Sequence, residues 1–261
     1  MKIATFNVNS IRAREELVIT WLREKNPVDI LCMQEIKCES KDFPNESFSR
    51  LGYEIAINSQ KRYNGVCICS KIPFKRVKTI FDDLILDEQR RVIEVEIDDF
   101  VLLNVYAPHG DSDTDHPKYR FKMDFYDALN DYLFSLLKSH KKIIVVGDMN
   151  VALEDKDVYD AKEFENKTGF LESEKEKLRA LLKIGLHDCF REKYPNKTSF
   201  TWWDYRTAGI WRDEGMRIDY ILASDDLLKR CKEIEVDLWT RRRRSPTPSD
   251  HAPVVAEVFS S

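Results

Sequence analysis

The stretch Ile143-Ile144-Val145-Val146-Gly147-Asp148-Met149-Asn150 decides how this chain is read. A short, wholly apolar run reads as a buried strand, and it stops at a carboxylate with a carboxamide two residues on. The same pattern occurs upstream. Ile3-Ala4-Thr5-Phe6 ends at Asn7, and Asp29-Ile30-Leu31-Cys32-Met33 ends at Gln34-Glu35. Near the C-terminus, Arg217-Ile218-Asp219-Tyr220-Ile221-Leu222 carries Asp219, and Pro248-Ser249-Asp250-His251-Ala252-Pro253-Val254 sets an Asp beside a His. Binding and catalytic groups commonly sit at the ends of rigid strands, so these positions are candidates for one site.

Working outward, strand-like runs recur along the whole chain: Val66–Ser70, Arg91–Ile97, Val101–Tyr106, Ser199–Trp203, Ile218–Ala223 and Val254–Phe259. Tyr63-Asn64-Gly65 is a hairpin-type turn signal. Three helices are interleaved with the strands. The first starts after the cap candidate Ser10, places Val18, Trp21 and Leu22 on one face, and stops before Asn26-Pro27. The second begins near Pro117; Phe121, Phe125, Ala128, Leu129, Tyr132, Leu133, Leu136 and Leu137 follow a 3.6-residue period and predict one face packed on a sheet. The third opens at the capping-box pattern Ser173-x-x-Glu176 and closes at Gly185. Many strands and few helices, interleaved, predict an α/β protein with packed sheets and outer helices. No linker, repeat or low-complexity tract divides the chain, so residues 1–261 are expected to form a single domain.

Composition narrows the class. Of the 261 residues 43% are apolar, enough for a substantial core. The net charge of −4 argues mildly against a nucleic-acid binder, but Lys61-Arg62, Arg90-Arg91 and Arg241-Arg242-Arg243-Arg244 are local basic clusters. Six cysteines lack CxxC spacing and are expected to be free thiols of a reducing, cytoplasmic compartment. No secretory signal and no apolar run of the roughly 20 residues needed to span a bilayer is seen, so no membrane association is expected.

The strand-end residues suit phosphodiester hydrolysis, which needs an activated water, a cation at the phosphate and donors for the extra transition-state charge. Glu35 is a hard-oxygen ligand suited to Mg²⁺, and Asn7 can hold that carboxylate or touch the metal. Asp148 can orient and deprotonate water, with Asn150 on the same side of an extended backbone. His251 can donate to a phosphoryl oxygen, with Asp219 fixing its ring and raising its pKa. Asp250 is a second metal ligand or a proton donor to the leaving group. Each position alone is more often a turn, a cap or a structural hydrogen bond; the recurrence at strand ends favours the functional reading.

Taken in order, Thr5-Phe6-Asn7-Val8-Asn9, Leu31-Cys32-Met33-Gln34-Glu35-Ile36-Lys37, Asn104-Val105-Tyr106-Ala107-Pro108, Gly147-Asp148-Met149-Asn150, Arg217-Ile218-Asp219-Tyr220 and Ser249-Asp250-His251-Ala252-Pro253-Val254 resemble the exonuclease III family of apurinic/apyrimidinic endonucleases. The resemblance runs from residue 5 to residue 254. It implies a four-layered α/β sandwich, two mixed β-sheets face to face with helices outside, as in deoxyribonuclease I and inositol-phosphate phosphatases. It implies Mg²⁺ as cofactor, with Mn²⁺ a substitute, held by Glu35 with Asn7 and Asp250. Tyr106 matches a tyrosine on the scissile phosphate; Asp148, Asn150, Asp219 and His251 match the hydrolytic set.

Substrate choice rests on Ser199-Phe200-Thr201-Trp202-Trp203-Asp204-Tyr205-Arg206. Adjacent strand residues face opposite ways, so Trp203 is expected in the core. Trp202 matches the aromatic lining the family's pocket for a flipped baseless sugar, with Met216 the other wall. Two features depart from the family pattern: His109 stands where Asn or Gln is common, and residues 161–168 lack an asparagine-rich segment. The Arg241–Arg244 run is expected at DNA phosphates. The resemblance therefore implies a monomeric DNA repair nuclease cutting 5′ to abasic sites in duplex DNA, with 3′-exonuclease and 3′-phosphatase or phosphodiesterase action at 3′ ends. Alternatives are a 3′-end-trimming relative and a phosphomonoesterase on the same fold.

Overall fold

A computed structural model describes residues 1–258, and Phe259, expected at the end of the last strand, lies outside the described residues. Among the described residues, twelve strands form two six-stranded sheets. In chain order they are β1 (Lys2–Asn7), β2 (Ile30–Gln34), β3 (Glu54–Asn58), β4 (Val66–Ser70), β5 (Phe74–Lys78), β6 (Val92–Ile97), β7 (Phe100–Tyr106), β8 (Ile143–Asp148), β9 (Leu186–Asp188), β10 (Asp219–Ser224), β11 (Cys231–Val236) and β12 (Val254–Val258). One sheet runs β11-β12-β1-β2-β4-β3 and the other β5-β6-β7-β8-β10-β9. The two orders are the same topology, with the C-terminal strands β11 and β12 serving as the first two of their sheet.

This repeat positions the site. Each sheet is antiparallel except for one central parallel pair, β1 with β2 and β7 with β8. Parallel neighbours end at the same edge, and ligands gather beyond the carboxyl ends of such strands. Asn7 and Gln34 are register partners at the end of one pair, and Tyr106 and Asp148 at the end of the other. Asp219 enters antiparallel β10 directly opposite Asp148.

The inner faces of both sheets make one apolar layer, with Ile3, Ile30, Ile68, Ile93, Leu102, Ile144, Val146 and Ile221 buried in it. The helix Ile11–Glu24 covers the outer face of the first sheet through Val18, Trp21 and Leu22. The helices Pro117–Ser139 and Glu172–Lys183 cover the second through Phe125, Leu129, Leu133, Leu178 and Leu181. The four layers match the expected architecture. A buried polar bridge fixes the sheets to each other beneath the site. Asn104 on β7 donates to the carbonyls of Met33 and Cys67, each at 2.9 Å, and Gln34 donates to Asn104 at 2.6 Å. Such a bridge specifies one register, because any slide leaves buried polar groups unpaired.

Some local expectations differ. Ser199–Trp203 is not a strand; only Trp202 makes bridges, one to Met216 and one to His251. The segment is wedged between two other segments rather than extended along either. Ser173 does not cap its helix. The N-cap is Leu171, whose amide is accepted by Glu174 at 3.2 Å, while the Ser173 hydroxyl meets Tyr119. Ser10 stands at the N-cap of the first helix but makes no side-chain cap bond. Asn64 and Gly65 both take positive φ, in a longer connection (59–65) between β3 and β4. Five cysteines are buried and Cys231 is partly buried, all as free thiols. Among the described residues, no helix is long and apolar enough to cross a membrane.

Candidate active site

Gly147 shows how the backbone places the first acid. Its φ of 142° is one that L side chains rarely adopt, and a Cβ there would collide with the Val105 carbonyl. Glycine alone lets β8 close on β7 at this point, which brings Asp148 beside Tyr106. Glu35, Lys37 and Asn150 take left-handed backbone angles, with φ of 50°, 53° and 52°. Strain of this kind persists only where surrounding structure holds it, and it clusters at functional sites.

Asn7 is the hub. Its amide nitrogen lies 2.9 Å from Glu35 Oε1 and 2.9 Å from Asp148 Oδ2, so one side chain holds a carboxylate from each sheet. The Ser249 hydroxyl donates to the Asn7 carbonyl at 2.6 Å, fixing the Asp250–His251 turn against β1. His251 Nδ1 and Asp219 Oδ2 are 2.9 Å apart and buried, and His251 Nε2 lies 3.8 Å from Asp148 Oδ2. The Asn150 amide donates to Asp148 Oδ1 at 2.9 Å, and its side chain donates to the Ala107 carbonyl at 2.9 Å.

The electrostatics separate the roles of these groups. Burial opposes charge on His251, but the Asp219 and Asp148 carboxylates outweigh it and push its pKa up to about 10. The ring is therefore an imidazolium at neutral pH, a donor and not a base. Burial, the Asp219 charge and the Glu35 charge push Asp148 up to about 7, against the pull of His251 and Asn7. That value suits a base working near neutrality. Burial and the charges of Glu35 and Asp148 keep the Tyr106 hydroxyl protonated far above its usual range. Burial opposes charge on Glu35, yet Lys37 and Asn7 hold its pKa low.

Asp250 has a second task. Its Oδ1 accepts from Asn9 and its Oδ2 from the Trp202 indole, each at 3.0 Å. The acid thus fixes the tryptophan. Trp202 and Met216 exchange backbone hydrogen bonds at 2.9 Å in both directions, and Trp203 is buried in the core as expected. Together they border a cavity of about 220 Å³ lined by Glu35, Tyr106, His109, Asp148, Asn150, Thr168, Gly169, Trp202, Met216, Ile218, Asp250 and His251. Its floor is polar and one wall is apolar. A groove of about 660 Å³ continues from it past His109, Trp202 and Met216 to Lys167, Arg206 and Arg212.

The expectation of contact with DNA phosphates fails for Arg241 alone of the four arginines. Arg241 is buried, and its guanidinium donates to the carbonyls of Asp250 and Trp203, each at 3.3 Å, beside the Tyr205 ring. It braces the Asp250–His251 turn and is only 5% exposed. Arg242, Arg243 and Arg244 are exposed, and Arg243 stacks on Trp239 at 3.9 Å. Other residues were missed. Lys37 pairs with Glu35 at 2.7 Å and with Asn9 at 2.6 Å. Asn9 and Lys37 each stand two positions beyond a chosen residue and close two of the stretches that carry the family resemblance. Thr168 and Gly169 carry no signal at all.

A cation fits here. Asp148 and Asp219 bring carboxylate oxygens close together around His251, all three groups within 4.8 Å of one another, and the carboxylates are the ligands because the imidazolium is not one. Asp219 Oδ1 is buried without a hydrogen-bond partner, and three carboxylates, Glu35, Asp148 and Asp250, line the one cavity. Excess negative charge of this kind, with an uncompensated oxygen, is what a divalent ion relieves.

Comparisons with known proteins give the family and the fold. The model of the endonuclease/exonuclease/phosphatase family matches residues 4–251. Exodeoxyribonuclease III of Haemophilus influenzae is 34% identical, covering 98% of this chain and 99% of that protein. An AP endonuclease structure from Archaeoglobus fulgidus superposes with a TM-score of 0.94 at 38% identity, covering 100% of both chains. A 3′ phosphatase from Neisseria bound to product DNA hairpin gives a TM-score of 0.94 at 36% identity, covering 100% of both.

Proposed function

Because this chain belongs to the endonuclease/exonuclease/phosphatase family, as an exodeoxyribonuclease III-type hydrolase, we propose that it is a Mg²⁺-dependent DNA repair nuclease that cuts 5′ to abasic sites. The observation that carries this reading is the adjacency of a hydrolytic floor and a small apolar wall in one cavity. Tyr106, Asp148, Asn150 and His251 face the same space as Trp202, Met216 and Ile218. A sugar without its base, flipped from the duplex, is the substrate part that such a small, partly apolar space suits.

Glu35, with Asn7 and Asp250, would hold the metal. When bound, Mg²⁺ supplies positive charge to the phosphate and the leaving oxygen; Mn²⁺ has the same ligand preference. The protein's own residues do the rest. Asp148 accepts the proton of the attacking water, and Asn150 and Asn7 fix its two oxygens. His251, kept charged by Asp219, donates to a phosphoryl oxygen. Tyr106, kept protonated, donates to another. Asp250 keeps the Trp202 indole upright against the sugar. The groove past Lys167, Arg206 and Arg212 accommodates the duplex beside the lesion.

A second reading, 3′-end trimming and 3′-phosphate removal, is favoured by one observation. The Neisseria 3′ phosphatase and the Archaeoglobus AP endonuclease superpose on this chain equally well. One gel separates the readings. Duplexes carrying an internal abasic site, a recessed 3′ end or a 3′-phosphate are incubated side by side with Mg²⁺. Internal cleavage at the abasic site as the fastest reaction supports the proposal. Removal of 3′ groups without internal cleavage selects the second reading.

A further inference from the structure

A fully buried ion pair lies behind the cavity, and the hydrolytic steps above do not use it. Lys122, on the helix Pro117–Ser139, and Glu174, on the helix Glu172–Lys183, both have side chains 0% exposed and meet at 2.6 Å. The ammonium has three donors, and all are used. The others go to the carbonyl of His109 at 3.0 Å and that of Asn150 at 2.8 Å. Glu174 turns its second oxygen to the amide of Gly169 at 2.7 Å, and its first also accepts from the Thr168 hydroxyl at 3.3 Å. The single Thr168 proton is shared with the His109 carbonyl, at 3.0 Å. His109, Asn150, Thr168 and Gly169 all line the cleavage cavity and come from three separate loops.

Stability alone does not account for this arrangement. Two charges taken from water to the interior are seldom better than a well-packed apolar pair of the same volume. An apolar pair, however, would hold no backbone group in place. The chain also leaves room for the lysine stem. Gly110 has a φ of 81°, and a Cβ there would come within 2.7 Å of Lys122 Cδ. The contacts end on main-chain atoms of loops that have no strand of their own to fix them. One of these loops contains Asn150, whose left-handed backbone requires outside restraint.

We propose that the Lys122–Glu174 pair is a positioning device for the cleavage cavity, fixing the His109, Asn150 and Gly169 walls at the spacing that aligns substrate with Asp148. It rests on the reading of this cavity as the cleavage site. The pair touches no substrate, so it acts on turnover through Asn150 and on the pocket through Gly169 and His109.

Lys122→Met alone strands a buried carboxylate and is expected to unfold part of the protein. The neutral double variant Lys122→Met/Glu174→Gln therefore carries the test, with Lys122→Arg as the conservative control. Amide hydrogen exchange reads the walls without any reaction. Exchange is expected to quicken in residues 108–111 and 166–171 and to stay unchanged in β1, β2 and the helix Ile11–Glu24. On an abasic duplex, kcat of the folded fraction is expected to fall at least about tenfold with KM changing far less, since a misplacement of about 1 Å can cost about 10² in rate. Lys122→Arg retains most of the turnover. Walls that exchange no faster overturn the proposal. Loosened walls with wild-type kcat also overturn it, because the pair would then be a fold support only. If the wild-type protein cuts no DNA substrate, the reading of the cavity fails, while the exchange comparison still decides whether the pair fixes its walls.

Discussion

Replacing Trp202 by alanine tests the assignment of the apolar wall. The indole stands between Met216 and Asp250, with its N–H on Asp250 Oδ2 at 3.0 Å and its backbone locked to Met216 in both directions. It is positioned from both sides, so truncation removes a fixed surface rather than a mobile one. Loss of one aromatic contact of this kind costs about 1–3 kcal/mol, or a factor of roughly 5 to 150 in transition-state stabilisation. Only a substrate that inserts an extrahelical sugar carries that cost. Trp202→Ala should therefore slow cleavage of an abasic duplex by that factor and leave digestion of an undamaged recessed 3′ end much less affected. Trp202→Phe keeps the aromatic face but frees Asp250 Oδ2, and should fall between the two. Single-turnover rates for both substrates are measured on one preparation whose folding has been checked by circular dichroism. Parallel loss of both activities, or loss of neither, would refute the assignment and make Trp202 a packing residue.

Asp148→Asn keeps the shape but removes the base, and its single side-chain oxygen can accept from only one of the Asn7 side chain and the Asn150 amide; turnover should fall by at least about 10² with most DNA affinity retained, and near-normal turnover would move the base elsewhere. Glu35→Ala should need far more Mg²⁺ for any residual cleavage, read from a metal titration of initial rates; an unchanged titration midpoint contradicts its role as ligand. For the metal-free protein, His251 has a folded pKa of about 10, raised above the roughly 6.5 of an unfolded histidine. Its pairing with Asp219 thus contributes stability that is full below about pH 6.5 and is lost as pH rises through about 10. Thermal unfolding in chelator should show Tm falling across that window, and His251→Gln should flatten the fall.

Much of the site is legible in the sequence because it follows from strand ends. Asp148 ends an apolar run after a glycine, and ladder register then fixes Tyr106 and Asp219 beside it. Layers and helix faces are legible for the same reason: period and burial are local properties of a run of residues. What is hidden depends on distant partners. Arg241 reads as one of four surface arginines, yet Trp203 and Asp250 supply carbonyls that draw it inside. Lys122 draws no notice in the sequence, and its buried contacts are to Glu174 and two loop carbonyls far along the chain. Ser173 fits a capping pattern, but Glu174 is committed to Gly169 and Leu171 and fixes the helix start earlier. The stretch 199–203 has strand composition, and its neighbours on both sides leave it one bridge each.

The central claim is hydrolysis at the 5′ side of an abasic site by a metal-dependent floor beside a lesion-sized wall. Mass spectrometry of the fragments from a duplex with one abasic site, incubated with Mg²⁺ or with chelator, tests it most directly. With Mg²⁺ the fragments should end in 3′-OH and 5′-deoxyribose phosphate, and with chelator the duplex should remain intact. Uncut duplex in Mg²⁺, a 3′ unsaturated aldehyde from strand elimination, or full cleavage in chelator would contradict it.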